Sequence, residues 1–570
     1  MDLEYMMKRF LKIRGQVDVE RHSHLVLILI LYFLFLLPSL NEVSTFHSDE
    51  RFYTDSAIYM IHHHDYLTPY YPDGDFRLNK PIVTYWALII SYALLGISFF
   101  SSRLPFLLAA CATLWVTHKM ALRLFGSRWQ ALLAVAILGS NIQFITSSLR
   151  ATPDILQTLF LNLSLYGFIA IIFSHDNRLR NYLCAYIGAA LAIETKGLLG
   201  IAPIAFVFIY IVVTKEPGRV EKLAHLPVML LAAVAATAWY IAMYLQHGDG
   251  ALGHFYQDQV GDRFSGPKYY ILLNIKDYIW GVFRHFMPWS LMLVAGLGLC
   301  RKKIQSHISR HRSAVRFVLG WFALLLLIFM GANISRTRYL IPAYPLLSVL
   351  MASIFSVVWE DARIQGFWRW ICGAACTLMA ICGCLLVLSG MALHWKLLTA
   401  GAVLIIAAFW AMNFTVRNRS AFSPIIIGLC IVLVAASGHA LVAPVFDFAP
   451  SRKVTACILQ LPDIQQPVSV WLEKEHKFAG QLYLLSEGRI AAHRFSDVAV
   501  PENLGNHQLV VLTQKTKETL DLAQYEVTVC GAVNRSITMD ALWRAFRSGG
   551  KEAFFMAMQE PLYLARRRLE

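Results

Sequence analysis

The chain has 570 residues and a formal net charge of +15, yet only 15% of its residues are Asp, Glu, Lys or Arg, whereas 57% are apolar. A soluble protein of this size usually carries about 25% charged residues, so the composition excludes an ordinary soluble enzyme and indicates repeated membrane-spanning segments. The positive charge does not indicate a nucleic-acid partner, because Lys and Arg collect in short loops between apolar runs, as expected of cytoplasmic membrane loops.

The apolar runs predict an α-helical polytopic membrane protein with about thirteen transmembrane helices. The first run begins near Leu25, and no small-residue cleavage site follows it, so we interpret it as a retained span. The predicted spans cover residues 25–40, 104–120, 130–147, 155–173, 182–195, 198–213, 226–245, 285–300, 316–332, 339–358, 369–390, 397–413 and 423–441.

The basic loops predict the orientation of the spans. If thirteen spans alternate, the basic N-terminus and the loops around residues 119–128, 215–222, 301–312 and 417–419 share one face, which is the cytoplasmic face. The apolar stretch 82–98 cannot then cross, because a further span would move the 119–128 loop outside. We interpret it as a helix at the outer interface and expect a cytoplasmic N-terminus and an extracytoplasmic C-terminus.

Two domains are predicted. Residues 1–441 form the membrane domain, which has two long outer loops, 41–103 and 246–284; long ordered loops usually carry function. Residues 442–570 are soluble in character and contain strand-like runs followed by a helical pattern from Met539. We interpret this part as a small extracytoplasmic α/β domain.

The first outer loop opens with the acidic pair Asp49-Glu50, followed by Tyr53. Adjacent carboxylates at a membrane surface are costly unless they are solvated or engaged. A capped and solvated helix start explains them equally well. Farther along the loop, Lys80 and Tyr85, with Arg77, supply cations and a hydroxyl of the kind that bind phosphate.

Further charged residues lie at the other outer turns. Asp154 in Thr152-Pro153-Asp154 either starts a helix or contributes to a site, because proline and an acid suit the first helical turn. Lys196 either anchors its span or faces an anionic headgroup. Positive charge also lies outside, against the positive-inside rule, at Arg263, Arg336 and Arg338, the last of which is followed by Tyr339. Basic side chains there suit an anionic lipid.

No metal site is predicted. The histidines 62–64 are consecutive, so on a helix their side chains point about 100° apart and rarely converge on one ion. The ten cysteines give no disulfide scaffold, and only Cys457 and Cys530 lie in the polar C-terminal part. No cofactor is predicted, although a divalent cation remains open.

These motifs, in their order along residues 25–350, resemble the GT-C membrane glycosyltransferases of the lipid A aminoarabinose transferase and protein O-mannosyltransferase type. The motifs that carry the resemblance are Asp49-Glu50-x-x-Tyr53, Asn79-Lys80-Pro81, Tyr85-Trp86, Arg103-Leu104-Pro105, Thr152-Pro153-Asp154, Thr195-Lys196-Gly197, Arg263-Phe264, Pro288-Trp289, Arg338-Tyr339, Pro342 and Tyr344-Pro345.

The resemblance implies a thirteen-span GT-C-like domain, a C-terminal extracytoplasmic domain and a polyprenyl-phosphate sugar donor. It implies that Asp49 is the main catalytic carboxylate, that Asp154 is a second one and that Lys80 binds the donor phosphate. The other residues expected to bind substrate are Glu50, Tyr53, Tyr85, Lys196, Arg263, Arg336, Arg338 and Tyr339.

The function expected from the resemblance is transfer of the sugar to an extracytoplasmic acceptor by a single inverting displacement. The acceptor would be lipid A or lipopolysaccharide, another envelope glycan, or a protein, and the expected location is the bacterial inner membrane. Two alternatives stay open from the residues. A transporter or flippase of a lipid-linked glycan would use the same cationic face, and an envelope assembly protein would act through the C-terminal domain.

Overall fold

The computed structural model describes residues 16–215, 218–248, 253, 270–330, 336–417, 423–446, 450–461, 468–472, 476–494, 509–534 and 539–568. The described chain is a bundle of apolar helices followed by a small domain with a β-sheet. This confirms the predicted fold class. The apolar runs form helices because a helix satisfies its backbone groups within one segment, as a lipid environment requires.

The described part of the first half of the membrane domain contains eleven α-helices. They are α1 (Gln16–Leu36), α2 (Arg51–His62), α3 (Val83–Leu95), α4 (Phe99–Phe125), α5 (Arg128–Gly139), α6 (Ile142–Ser148), α7 (Pro153–Ser174), α8 (Leu179–Lys196), α9 (Ala202–Thr214), α10 (Gly218–Leu223) and α11 (Leu226–His247). Short 3₁₀ helices, Leu37–Asn41 and Leu198–Ile201, follow α1 and precede α9.

The second half of the membrane domain continues in the same way. Its helices are α12 (Tyr270–His285), α13 (Trp289–Leu299), α14 (Arg301–Arg310), α15 (Arg312–Met330), α16 (Tyr344–Val358), α17 (Ala362–Ala392), α18 (Trp395–Arg417), α19 (Ser423–Ser437) and α20 (Ala443–Phe446). A 3₁₀ helix, Thr337–Ala343, leads into α16, and a π-helix, Gly438–Val442, joins α19 to α20. The helical segment therefore runs past residue 441, where the domain boundary is predicted.

In the described ranges, nine helices are long and apolar enough to cross a membrane, and two bent pairs raise the number to eleven. The pairs are α5 with α6, bent by 69°, and residues Asn274–His285 with α13, bent by 97°. The remaining two predicted spans coincide with α8, which carries Arg180, Glu194 and Lys196, and with the short α9. Within the described residues, each predicted span thus contains a helix, two of them are broken by a bend, and the exact count of thirteen stays a prediction.

Helix α3 occupies the apolar stretch that we predict to lie at the interface. Its 13 residues would extend about 20 Å, less than the roughly 30 Å hydrocarbon core of a bilayer. Tyr85 and Leu88 are buried against neighbouring helices, while Ile90 and Leu94 on the opposite side are exposed. The short length and the one-sided burial suit a helix that lies along the membrane domain.

The C-terminal domain contains α21 (Pro450–Leu459), β1 (Val468–Leu472), α22 (His476–Leu485), β2 (Ile490–Arg494), β3 (Leu509–Thr513), α23 (Gln514–Thr519), β4 (Tyr525–Asn534), α24 (Met539–Met558) and β5 (Gln559–Arg567). The sheet order is β2-β1-β3-β5-β4. Strand β1 is parallel to β2 and β3, and β5 is antiparallel to β3 and β4. Strand β5 is not among the predicted strands; it contains Pro561, a residue that is uncommon within inner strands.

The two cysteines of this domain form a disulfide bond. Cys457 on α21 and Cys530 on β4 have Cα atoms 5.9 Å apart, and the bond spans a sequence separation of 73 residues. A single bond is not a disulfide scaffold, so that expectation is unaffected, but this pairing was not predicted. Sequence spacing does not show that the two segments lie side by side.

The C-terminal domain packs directly on α2 through α22. Gly480 lies so close that an added Cβ would be 2.3 Å from the Cβ of Arg51. The amide of Gln481 donates to the carbonyl oxygen of Val43 at 3.0 Å. Tyr483 and Leu484 of α22 belong to the apolar core of the membrane domain. The close contact ties the beginning of α2 to a segment more than 400 residues later.

A buried ion pair fixes the start of α2. The side chains of Glu50 and Arg103 have no exposed surface, and Arg103 Nε donates to Glu50 Oε2 at 2.9 Å. Arg103 also donates to the carbonyl oxygens of Leu40 and Glu42. Glu50 Oε2 accepts from the backbone N–H of Ala151 at 3.1 Å. The pair thereby connects the end of the first span, the start of α2, helix α4 and the turn before α7.

Replacing Glu50 with Gln should strongly destabilise the protein. The Arg103 guanidinium would stay buried without its counter-charge, and breaking a buried pair costs about 3–5 kcal/mol. Thermal unfolding of the purified protein in detergent measures the effect. The control is Asp73→Asn, the same change of a carboxylate to an amide at an exposed acid, which should leave the melting temperature nearly unchanged. Equal melting temperatures for wild type and Glu50→Gln would contradict this role for the pair.

Candidate active site

Asp49, the neighbour of the buried Glu50 in the chain, lies in a different environment. Asp49 precedes α2 by two residues, and its Oδ2 accepts hydrogen bonds from Arg338 Nη2 and, at 3.1 Å, from Arg336 Nη1. Its side chain keeps 22% of its surface exposed. Of the two adjacent acids, Asp49 therefore reaches open space and Glu50 serves the packing. This departs from the prediction that Glu50 binds substrate.

The second predicted carboxylate lies at the start of α7. Thr152 precedes the helix and Pro153 occupies its first position, which suits proline because it lacks an N–H group. Asp154 accepts a hydrogen bond from Lys196 Nζ, and its other oxygen lies 3.7 Å from Arg338 Nε. Both predictions for this motif therefore hold: the turn starts a helix, and it brings Asp154 to Lys196 and Arg338.

These contacts form a continuous chain of opposite charges, which we call the charge chain: Lys196–Asp154–Arg338–Asp49–Arg336. Its members come from the end of α8, the start of α7, the segment leading into α16 and the first loop. Three cations face two carboxylates, so the chain has a net positive charge when all are ionised. An anion is therefore the ligand that it favours.

One side of the charge chain borders a cavity of about 300 Å³, which we call the Lys80 cavity. This volume lies at the small end of the range for ligand sites. Its lining residues are Asp49, Phe52, Tyr53, Tyr71, Arg77, Asn79, Lys80, Thr152, Pro153, Asp154, Lys196, Arg336, Arg338 and Tyr339.

A second cavity of about 630 Å³, which we call the Arg150 cavity, also borders the charge chain. It shares Asp49, Arg336 and Arg338 with the Lys80 cavity, so these three side chains stand between two spaces. Its lining residues are His47, Ser48, Asp49, Gln143, Arg150, Asp277, Trp280, Gly281, Arg284, Arg336, Thr337 and Arg338.

The surrounding charges keep Asp49 ionised. Burial alone would raise the pKa of its carboxyl, but the hydrogen bond and positive charge of Arg338 hold that pKa below its usual value. The pKa of the neighbouring His47 is lowered by burial and by the charge of Arg150. At neutral pH the site therefore presents a carboxylate at position 49 beside a largely neutral imidazole.

The structure brings most of the predicted substrate-binding residues into the Lys80 cavity: Tyr53, Lys80, Lys196, Arg336, Arg338 and Tyr339. Tyr85 is fully buried outside the lining, where its hydroxyl accepts from Arg77. Arg263 lies outside the described residues. Within the described ranges, no group of three or more His, Cys, Asp or Glu side chains could hold a metal ion.

Several lining residues were missing from the predicted set. Arg77 lines the Lys80 cavity. Its place near Lys80 in the first loop already indicated a cation of the kind that binds phosphate, although it was not among the residues expected to bind substrate. Arg150 and Arg284 line the Arg150 cavity. Arg150 lies two residues before Thr152, in the turn that leads into α7, whereas Arg284 lies near the end of α12, just before the predicted span 285–300.

The sequence matches known membrane glycosyltransferases. The family model described as dolichyl-phosphate-mannose-protein mannosyltransferase matches residues 79–241. An uncharacterized protein of Aquifex aeolicus is 29% identical over 357 residues, which is 62% of this chain and 64% of that protein. The undecaprenyl phosphate-alpha-4-amino-4-deoxy-L-arabinose arabinosyl transferase 1 of Proteus mirabilis is 25% identical over 338 residues, or 58% of this chain. The chain spans less than two thirds of these relatives, 64% and 59% of their lengths.

The fold also matches solved structures. The crystal structure of ArnT from Cupriavidus metallidurans in the apo state aligns with a TM-score of 0.68 and 16% sequence identity, over 96% of this chain and 98% of that one. The crystal structure of the same protein bound to undecaprenyl phosphate gives a TM-score of 0.66. The resemblance predicted from the motifs is confirmed: in sequence and in fold, this multi-pass membrane protein is similar to the GT-C membrane glycosyltransferases of the aminoarabinose transferase and protein O-mannosyltransferase type.

Proposed function

We propose that the protein is a glycosyltransferase that moves a sugar from a polyprenyl-phosphate donor to an extracytoplasmic acceptor. The observation that carries the proposal is the charge chain, which places the ionised carboxylate of Asp49 between two cavities lined by cations. The names of the arabinosyl transferase relatives, and the undecaprenyl phosphate bound to ArnT, support this choice of donor. They favour a transferase over a flippase.

The Lys80 cavity suits the donor phosphate. Lys80 is 9% exposed and donates to the carbonyl oxygen of Asn79 at 2.9 Å, which holds the ammonium group at the cavity wall. Lys196 and Arg338 line the same cavity. Phosphate oxygens form strong charge-assisted hydrogen bonds with such groups. The donor phosphate would thus lie against the charge chain. Tyr339 lies beside it, with its ring centroid 4.7 Å from Lys196 Nζ.

The proposed reaction is a single displacement. The acceptor attacks the anomeric carbon, and the bond from that carbon to the phosphate oxygen breaks with its electron pair on the leaving polyprenyl phosphate. The developing negative charge is stabilised by the cations that already line the cavity. If the acceptor atom is a hydroxyl oxygen, Asp49 accepts its proton as general base. If it is a phosphate oxygen, Asp49 orients the acceptor instead. In both cases the anomeric centre inverts.

The Arg150 cavity is the proposed acceptor site. It shares Asp49 with the Lys80 cavity but is not lined by Lys80, so an acceptor bound there could reach the sugar beside Asp49 without occupying the phosphate site. Arg150, Arg284 and the shared Arg336 and Arg338 outnumber the two acids of the lining, Asp49 and Asp277. This excess of positive charge fits an anionic envelope glycolipid such as lipid A better than a neutral acceptor.

The proposed location is the bacterial inner membrane, with the site and the C-terminus extracytoplasmic. The basic loops all fall on one face of the alternating spans, which indicates that this face is cytoplasmic. The disulfide between Cys457 and Cys530 supports the orientation independently, because disulfides persist in oxidising compartments such as the periplasm and are rare in the cytosol.

The donor class can be tested with purified protein. The protein should transfer a sugar from a polyprenyl-phosphate sugar, such as undecaprenyl phosphate-4-amino-4-deoxy-L-arabinose, to envelope lipids, and it should ignore the matching nucleotide sugar. Mass spectrometry of the lipids detects the product. Lys80→Ala should raise the KM for the donor, because one charge-assisted contact is worth about 1.5–3 kcal/mol. Lys453→Ala, at an exposed lysine of α21, is the control. Turnover from a nucleotide sugar without a lipid carrier would overturn the proposal.

Replacing Asp49 with Asn should reduce kcat at least about 100-fold, the low end for a positioned acid–base group. The substitution keeps the size of the side chain and removes the charge that faces Arg336 and Arg338. Transfer is measured with the same donor, after size-exclusion chromatography has shown that the variant is folded. Asp73→Asn changes an exposed acid of the same loop and should be active. Near-normal activity of Asp49→Asn would remove Asp49 from catalysis.

Reporter fusions test the orientation. An alkaline phosphatase fused after Glu570 should be active, because this enzyme requires an extracytoplasmic location, whereas a fusion within residues 301–312 should be inactive. A green fluorescent protein at the same two positions should give the reverse pattern. The opposite result at either position would be incompatible with the proposed arrangement of spans.

A further inference from the structure

Arg77 is a buried arginine at the wall of the Lys80 cavity. It lies in the loop between α2 and α3 and is 5% exposed. Its guanidinium carbon is 5.2 Å from the ring centroid of Phe52, 4.9 Å from that of Tyr53, 5.7 Å from that of Tyr71 and 5.8 Å from that of Tyr85. Its Nη1 also donates to the hydroxyl of Tyr85. Four aromatic rings therefore hold the guanidinium in place.

The charge of Arg77 is not matched by a carboxylate. No Asp or Glu among the described residues lies within ion-pair distance of it, and its buried Nε has no hydrogen-bond partner there. The buried acid that it interacts with electrostatically, Asp55, is paired with Arg51 at 3.5 Å, and burial raises the pKa of Asp55 to about 7. Aromatic rings attract a cation without neutralising it. A buried guanidinium in this state favours an incoming anion.

We propose that Arg77 is a second phosphate-binding residue, which acts with Lys80 on the donor. The inference rests on the proposed function and assigns it a further substrate-binding group. Arg77 and Lys80 are three residues apart in the chain and line the same cavity. The four rings fix the planar guanidinium, whereas the lysine ammonium is a compact charge on a flexible stem. Arg77 would therefore set the position of the phosphate, and Lys80 would adjust to it.

The negative charge that Arg77 would stabilise increases during the reaction. The donor is a phosphodiester with a single negative charge. When the bond between the anomeric carbon and the bridging oxygen breaks, its electron pair stays on that oxygen, so the leaving polyprenyl phosphate gains a further negative charge. A fixed cation at the phosphate then stabilises the product side and the transition state more than the bound donor.

A binding experiment separates phosphate recognition from simple packing. The quenching of intrinsic tryptophan fluorescence is titrated with undecaprenyl phosphate and, separately, with undecaprenol, which has the same chain and no charge. Wild-type protein should bind the phosphate more tightly than the alcohol. Arg77→Gln should weaken phosphate binding at least about tenfold and leave alcohol binding unchanged. Arg452→Gln, at an exposed arginine of α21, removes the same charge away from the cavity and should change neither affinity.

Each other outcome has a definite meaning. Unchanged phosphate affinity in Arg77→Gln, or an equal loss for both ligands, would overturn the inference, because the residue would then be neutral or only structural. A wild-type protein with no preference for the phosphate would contradict the proposed function itself. If the Gln variant does not fold, Arg77→Lys decides the question. Lysine lacks the planar fork, so phosphate affinity should fall several-fold, and wild-type affinity would overturn the inference.

Discussion

Glu50 and Arg103 form an ion pair from which solvent is completely excluded, and the position of the whole site depends on it. A buried pair is tolerated only when its remaining donors and acceptors are also satisfied. Here the carbonyl oxygens of Leu40 and Glu42 and the backbone N–H of Ala151 complete it. The first loop, α4 and the turn before α7 are therefore held in one arrangement. The position of Asp49 follows from it, because the adjacent Glu50 is fixed by Arg103.

The charge chain converts this arrangement into a site with a preference for anions. Asp49 is engaged by Arg336 and Arg338, and Asp154 is engaged by Lys196, so each carboxylate is held by a different strong partner. An incoming phosphate would compete for these cations, and Asp49 would become available as its partners turn to the ligand. Under the proposed function, binding of the donor would therefore be coupled to exposure of the carboxylate.

The sequence could predict the apolar spans and the residues around the Lys80 cavity, because spans follow from local composition and the motifs come in a fixed order. It could not show that Glu50 has a structural role, since adjacent acids look equivalent until the burial of Arg103 identifies the partner of Glu50. Tyr85 was predicted at the ligand for its hydroxyl, but that hydroxyl supports Arg77. The disulfide and strand β5 depend on contacts between distant segments, which local patterns do not encode.

The packing of α22 on α2 also sets an order for the assembly of the protein. Helix α2 is synthesised long before α22, yet His62 at its end contacts the carbonyl oxygen of Glu487, 425 positions later. Contacts between such distant segments form late, because the intervening chain must first be in place. During biosynthesis the spans can enter the membrane one after another while α2 still lacks its partner. In the proposed orientation, α2 would gain its complete surroundings only after the C-terminal domain has been exported and folded, so a chain without that domain would have an unsupported first loop.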